Sequence, residues 1–151
     1  MNTPADVPEY TNPDPVLDVR KREILGTPRV IAVVGMSPKD DRPSHEVGVY
    51  LKEHGHTIIP VHPKAAEVAG MKAYPDLQSI PAAAAVEIVD MFIAGERTGP
   101  VVEQAAKIGA KIAWFQPGAE SQGAEQRAAE LGLEVFSGVC PKAEHKRLFG
   151  G

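Results

Sequence analysis

Apolar residues collect in short runs at Val30–Val34, Thr57–Val61, 89–94, 111–115 and 133–136, separated by stretches of helical period. The first four runs are almost unbroken by polar residues, which is the pattern of strands buried on both faces. Between the first two, Val47, Tyr50, Leu51 and His54 recur at i, i+3, i+4 and i+7, with Ser44 as the expected N-cap and Gly55 just past the end. Pro100 suits a first helical turn, with Val102, Ala105 and Ala106 as its apolar stripe and Gly109 as its stop. Ala124, Ala128 and Leu131 make a further stripe closed by Gly132, and a short helical turn is expected over 75–80. Residues 1–24, rich in Pro and Asp, read as a partly irregular arm, with a short helix over 16–25.

Strands alternating with helices predict an α/β domain, a Rossmann-like doubly wound parallel sheet of about five strands with helices on both faces. Open sheets of this kind take ligands beyond the carboxyl ends of their strands, where the strand order reverses. That rule selects the loops at 35–44, 61–64, 93–97 and 115–118.

The first of these loops carries the chemistry. Gly35 follows a buried strand, and Ser37, Lys39, Arg42 and Ser44 precede a helix N-terminus, whose free N–H groups and dipole favour an anion. Arg42 can add a bidentate contact to a phosphate oxygen. The full G-x-G-x-x-G fingerprint is absent, because Pro38 stands where a tight dinucleotide turn would continue. The second strand ends Val61-His62-Pro63-Lys64, with Pro60 and Pro63 holding the chain extended. A carboxylate at this corner would accept the ribose hydroxyls of NAD. Lysine suits a phosphorylated ribose, as in coenzyme A or NADP. The competing reading of Lys64 is a solvated surface lysine, and His62 can be no more than a loop residue.

Composition narrows the classes. The chain has 151 residues, enough for one domain, and a net charge of −4, so it has no excess of cations for a nucleic acid backbone. No apolar run approaches the roughly 20 residues needed to span a bilayer, so no membrane partner is expected. The acidic, proline-broken start Met1-Asn2-Thr3-Pro4 does not read as a signal peptide, and a lone cysteine, Cys140, fits a reducing cytoplasm. The five histidines show no metal-ligand spacing, and neither a G-x-S-x-G elbow nor a Walker lysine is present. Cys140 follows the last strand, so the topology directs it toward the ligand edge, where His145, Lys142 and Lys146 could promote thiol exchange; a buried inert thiol is the alternative.

Taken in order, Val33-Val34-Gly35-Met36-Ser37-Pro38, Arg42-Pro43-Ser44, Pro60-Val61-His62-Pro63-Lys64, Gly70, Tyr74-Pro75, Ala110-Lys111-Ile112-Ala113-Trp114-Phe115-Gln116 and Cys140-Pro141-Lys142-Ala143-Glu144-His145 resemble the small CoA-binding domain family. Its members are stand-alone relatives of the N-terminal CoA-binding domain of the succinyl-CoA synthetase α subunit. The resemblance implies that residues 25–151 bind CoA or an acyl-CoA. It places Gly35, Met36 and Ser37, with Arg42, Pro43 and Ser44, on the pyrophosphate. His62, Pro63 and Lys64 then lie near the phosphorylated ribose, with Ile93, Gly95 and Gln116 on the remaining ligand loops. It implies no established reaction, so a carrier, sensor or regulatory module is expected, as a monomer or small homo-oligomer. Two alternatives remain open: an NADP-dependent oxidoreductase, and a catalytic partner of an acyl-CoA ligase. The chain departs from the family at His62, where asparagine is usual, at Ile93-Ala94-Gly95-Glu96, and at Pro117-Gly118-Ala119.

Overall fold

A computed structural model describes residues 8–150. The first helix, α1 (Pro15–Leu25), is capped by the Asp14 carboxylate, which accepts the Val16 and Leu17 amides. Strand β1 (Val30–Val34), helix α2 (Pro43–Glu53) and strand β2 (Thr57–Val61) then make the first β-α-β unit. A small antiparallel hairpin follows, β3 (Glu67–Val68) and β4 (Met71–Lys72). Its turn residues Ala69 and Gly70 both have positive φ, 51° and 77°, as a type I′ turn requires. The chain continues through β5 (Ile88–Met91), α3 (Thr98–Lys107), β6 (Ile112–Phe115), α4 (Gln122–Glu130), β7 (Glu134–Ser137) and α5 (Pro141–Phe149).

The main sheet runs β2-β1-β5-β6-β7, every neighbouring pair parallel. Side chains alternate across it with the period of two that strands impose. Ile31, Val33, Ile112 and Trp114 join one core with Ile24 and Leu25 of α1, Val47 and Leu51 of α2, and Ala143 of α5. Ala32, Val34, Ala113 and Phe115 join the other with Val102 and Ala105 of α3 and Ala124 and Ala128 of α4. The expected α/β class and parallel sheet are therefore what the chain forms.

Several boundaries differ from expectation, each for a local reason. The third strand ends at Met91, because Phe92 and the residues after it turn away over the ligand edge. The last strand runs one residue later than the apolar run, because Glu134 starts the ladder beside Ile112 and is held by the Arg20 guanidinium at 2.8 Å. Ser44 is not the cap of α2. Arg42 holds that place, and Pro43 takes the first helical position, where its missing N–H costs nothing. The Ser44 hydroxyl instead accepts the Ser37 amide at 3.0 Å, tying the glycine loop to the helix.

Helix α5 is the element the apolar pattern did not reveal. Its inward residues include Lys142, Glu144 and His145, all buried. Glu144 is held by the buried ammonium of Lys21 and by Arg147 Nε at 2.8 Å; Arg147 in turn reaches Asp18 at 2.7 Å. These ion pairs dock α5 on α1 through polar groups, so hydrophobic periodicity cannot see the contact.

Candidate functional site

The strand order reverses at β1, which is followed in the chain by β2 on one side and by β5 on the other. Gly35 sits at that point. Its φ of 86° lies in the left-handed region, and its amide donates to the Val61 carbonyl at 2.9 Å. A Cβ built here would lie 2.5 Å from the Phe92 carbonyl oxygen, so the two loops approach as closely as only glycine allows.

Two hollows of about 480 and 490 Å³ open above this point and share His62 and Phe92. The first is lined by Ser37, Lys39, Arg42, Pro43 and Ser44 at the N-terminus of α2. Side-chain contacts to the backbone shape it: the Ser37 hydroxyl accepts the Lys39 amide at 3.1 Å, and His45 Nδ1 lies 2.8 Å from the Ser37 carbonyl. The second is a slot with apolar walls from Val34, Val61, Leu77, Ile93 and Val101, and polar groups from Asp76, Arg97 and Gln104. Asp76 is partly spent on its own turn, accepting the Ser79 amide at 2.8 Å.

His62 joins the two. Its Nδ1 accepts the amides of Lys64 at 3.1 Å and Ala65 at 2.9 Å. A nitrogen that accepts carries no proton, which makes Nε2 the donor of the neutral ring. Its backbone is fixed by the Tyr74 carbonyl, to which the His62 amide donates at 2.9 Å.

Cations are distributed unevenly. Outside the site each described arginine is engaged: Arg20 with Glu134, Arg22 with the Leu148 carbonyl, Arg29 with the Ile24 carbonyl, Arg127 with Glu103, and Arg147 with Asp18. Within the site, Arg42 comes no nearer than 4.0 Å to Asp41. The Arg97 side chain makes no hydrogen bond or ion pair among the described residues. Two guanidinium groups are thus left facing an open cleft, as an anionic ligand would need.

The sequence-derived residues fall into distinct groups. Gly35, Ser37, Arg42, Pro43, Ser44, His62, Pro63 and Ile93 line the paired hollows. Lys64 is exposed and directly follows the lining residue Pro63. Met36 offers only backbone, because its side chain is buried in the core against Gly48 of α2. Gly95 is packed on the Glu120 carbonyl rather than on the slot. Gln116 lies beside a smaller 260 Å³ hollow with Phe92 and Ile93, but its amide is turned inward to Asp90. Arg97 falls at the end of the loop 93–97 selected from the sequence but has no role assigned there. Gln104, which also lines the slot, is missed because the apolar stripe of α3 draws attention to the opposite face. Arg97, Val101 and Gln104 do recur at i, i+4 and i+7, the signal that could have marked them.

Cys140 is not poised for exchange. It is fully buried at the N-cap of α5, and burial pushes its thiol up to about 12. Among the described residues no helix is long and apolar enough to cross a membrane, and no cluster of His, Cys, Asp and Glu is arranged to hold a metal ion.

A parallel sheet with an anion-ready glycine loop at its switch point and an apolar slot beside it defines a nucleotide-binding domain of the Rossmann type. The chain belongs to the CoA-binding domain family, whose pattern matches residues 29–146. It is 36% identical over 124 residues to the uncharacterized protein YneT of Bacillus subtilis, covering 82% of this chain and 90% of that one. A hypothetical protein from Pyrococcus horikoshii OT3 superimposes with a TM-score of 0.84 at 44% identity, over 88% of this chain and 92% of the other. An ADP-forming acetate–CoA ligase of Archaeoglobus fulgidus is 34% identical over 71 residues, which are 47% of this chain and 10% of the ligase.

Proposed function

We propose that this chain binds coenzyme A or an acyl-CoA across the paired hollows, as a carrier, sensor or regulatory module with no chemistry of its own. The pyrophosphate meets the loop from Gly35 to Ser44, the base enters the apolar slot, and the ribose phosphate lies toward Lys64. The observation that carries this reading is the pair of arginines at the cleft, Arg42 with only a long 4.0 Å contact to Asp41 and Arg97 with no side-chain hydrogen bond among the described residues, in a protein whose other described arginines are all hydrogen-bonded. Membership of the CoA-binding domain family supports the choice of CoA among phosphorylated nucleotides.

Titration calorimetry with CoA, dephospho-CoA and NADP tests it. CoA should bind more tightly than dephospho-CoA by the worth of a charge-assisted hydrogen bond, roughly 1.5–3 kcal/mol, and Lys64→Ala should erase that difference. Equal affinity for CoA and dephospho-CoA removes the role of Lys64, and tighter binding of NADP than of CoA replaces the reading by a redox one.

A further inference from the structure

Helix α3 and its N-cap residue present three different chemistries to the slot along one stripe: a guanidinium at the N-cap Arg97, an apolar surface at Val101 and a carboxamide at Gln104. The neighbouring Glu103 is turned away and held by Arg127 at 2.6 Å, which orients that face of the helix toward α4. Gln104 is half-buried at the wall of the slot, and its side chain makes no hydrogen bond among the described residues. A free carboxamide offers a donor beside an acceptor in one plane. Next to an apolar slot this is costly to cover with a ligand that cannot answer both groups, and favourable to cover with one that can.

We infer that Gln104 is the base-reading residue of the site, pairing its carboxamide with the adjacent amino donor and ring-nitrogen acceptor on one edge of an adenine held in the slot. This rests on the proposal that the cleft holds CoA. Adenine suits the group because a glutamine can donate to its ring nitrogen and accept from its amino group at once, a bidentate pair that discriminates between bases. Val101 and Leu77 supply the apolar surface against which the flat ring lies, and Arg97, two turns earlier on the stripe, remains for the phosphates.

The experiment compares CoA with 1,N6-etheno-CoA, in which a bridge occupies both the amino group and the neighbouring ring nitrogen. The unmodified protein should bind CoA roughly tenfold more tightly. Gln104→Leu keeps the size and the helix preference, so its thermal melt should match the parent, and it should bind the two ligands alike. A gap that persists in Gln104→Leu means that slot shape rejects the bridged base, and overturns the assignment. Binding of both ligands alike by the unmodified protein overturns it too, while leaving the CoA reading in place. Failure of the unmodified protein to bind either ligand overturns both.

Discussion

The Gln116 amide nitrogen donates to both oxygens of Asp90, at 2.9 and 3.0 Å, with both side chains shut away from solvent. Asp90 lies in the middle of the central strand β5, between Val33 and Trp114, so water cannot reach the charge. Burial pushes its carboxyl up to about 7, and the Gln116 hydrogen bond opposes that shift without cancelling it. The pair anchors the loop after β6 to the sheet, close to the edge where the cleft opens.

That acid makes stability depend on pH in a definite direction. Below its unfolded value of 3.8, both states hold the proton and Asp90 contributes no slope. Between 3.8 and about 7 the native state keeps a proton that the unfolded chain has lost, so stability falls as pH rises. Above about 7 the full cost of the buried charge is present, on the order of 4 kcal/mol. Other groups act elsewhere or in the opposite sense. Asp18, drawn down to about 2 by its hydrogen bond to Arg147, matters only in stronger acid. His56 and His145, both lowered chiefly by burial, remove stability as pH falls below the usual histidine range. The difference between the parent and Asp90→Asn isolates the term. In urea unfolding the variant should gain on the parent from pH 4.5 to about pH 7 and hold that gain at pH 8, and a pH-independent difference across the range would refute the buried-charge account.

Gly35 makes a prediction about the fold as well as the ligand. The positive φ alone costs an alanine roughly 1–2 kcal/mol, and its Cβ would press on the Phe92 carbonyl at 2.5 Å. Gly35→Ala should therefore melt at least about 3 °C lower than the parent, since a domain of this size loses roughly 2–4 °C per kcal/mol. An unchanged melting temperature would show that the β1 and β5 loops can separate freely.

How much of this was legible in the sequence depended on which force set each element. Strands β1 and β2 begin and end where their apolar runs do, because both faces of the sheet are covered and apolar content alone fixes them. The hairpin of β3 and β4 carries two residues per strand, too few for any alternation to register. Helix α5 was hidden because Lys21, Glu144 and Arg147 dock it by ion pairs that only the tertiary fold brings together. The cleft was legible at Gly35, Arg42 and Pro63, where loop position follows from strand order. It was not legible at Gln104, which owes its place to the side of α3 that faces the slot. Met36 lies within the loop motif, yet its side chain serves the core, so only its backbone is left for the loop.

Cys140 supplies the last expectation, and of the two readings left open for it, an exchangeable or a buried thiol, its burial favours the second. The residue caps α5 from inside the core, its amide donates to the Tyr10 carbonyl at 2.8 Å, and burial is the leading cause of a thiol pushed up to about 12. Exchange needs a thiolate that a disulfide sulfur can reach, and neither condition holds in the native fold. Native protein incubated with CoA disulfide at neutral pH should keep its unmodified mass, and the adduct should form only when urea exposes the chain. A small uncharged disulfide should then label at the same slow rate as CoA disulfide, because both wait for the same opening. Faster labelling by CoA disulfide than by the uncharged reagent, in native conditions, would mean that the ligand cleft guides its thiol to Cys140 and that the helix N-terminus opens when CoA binds.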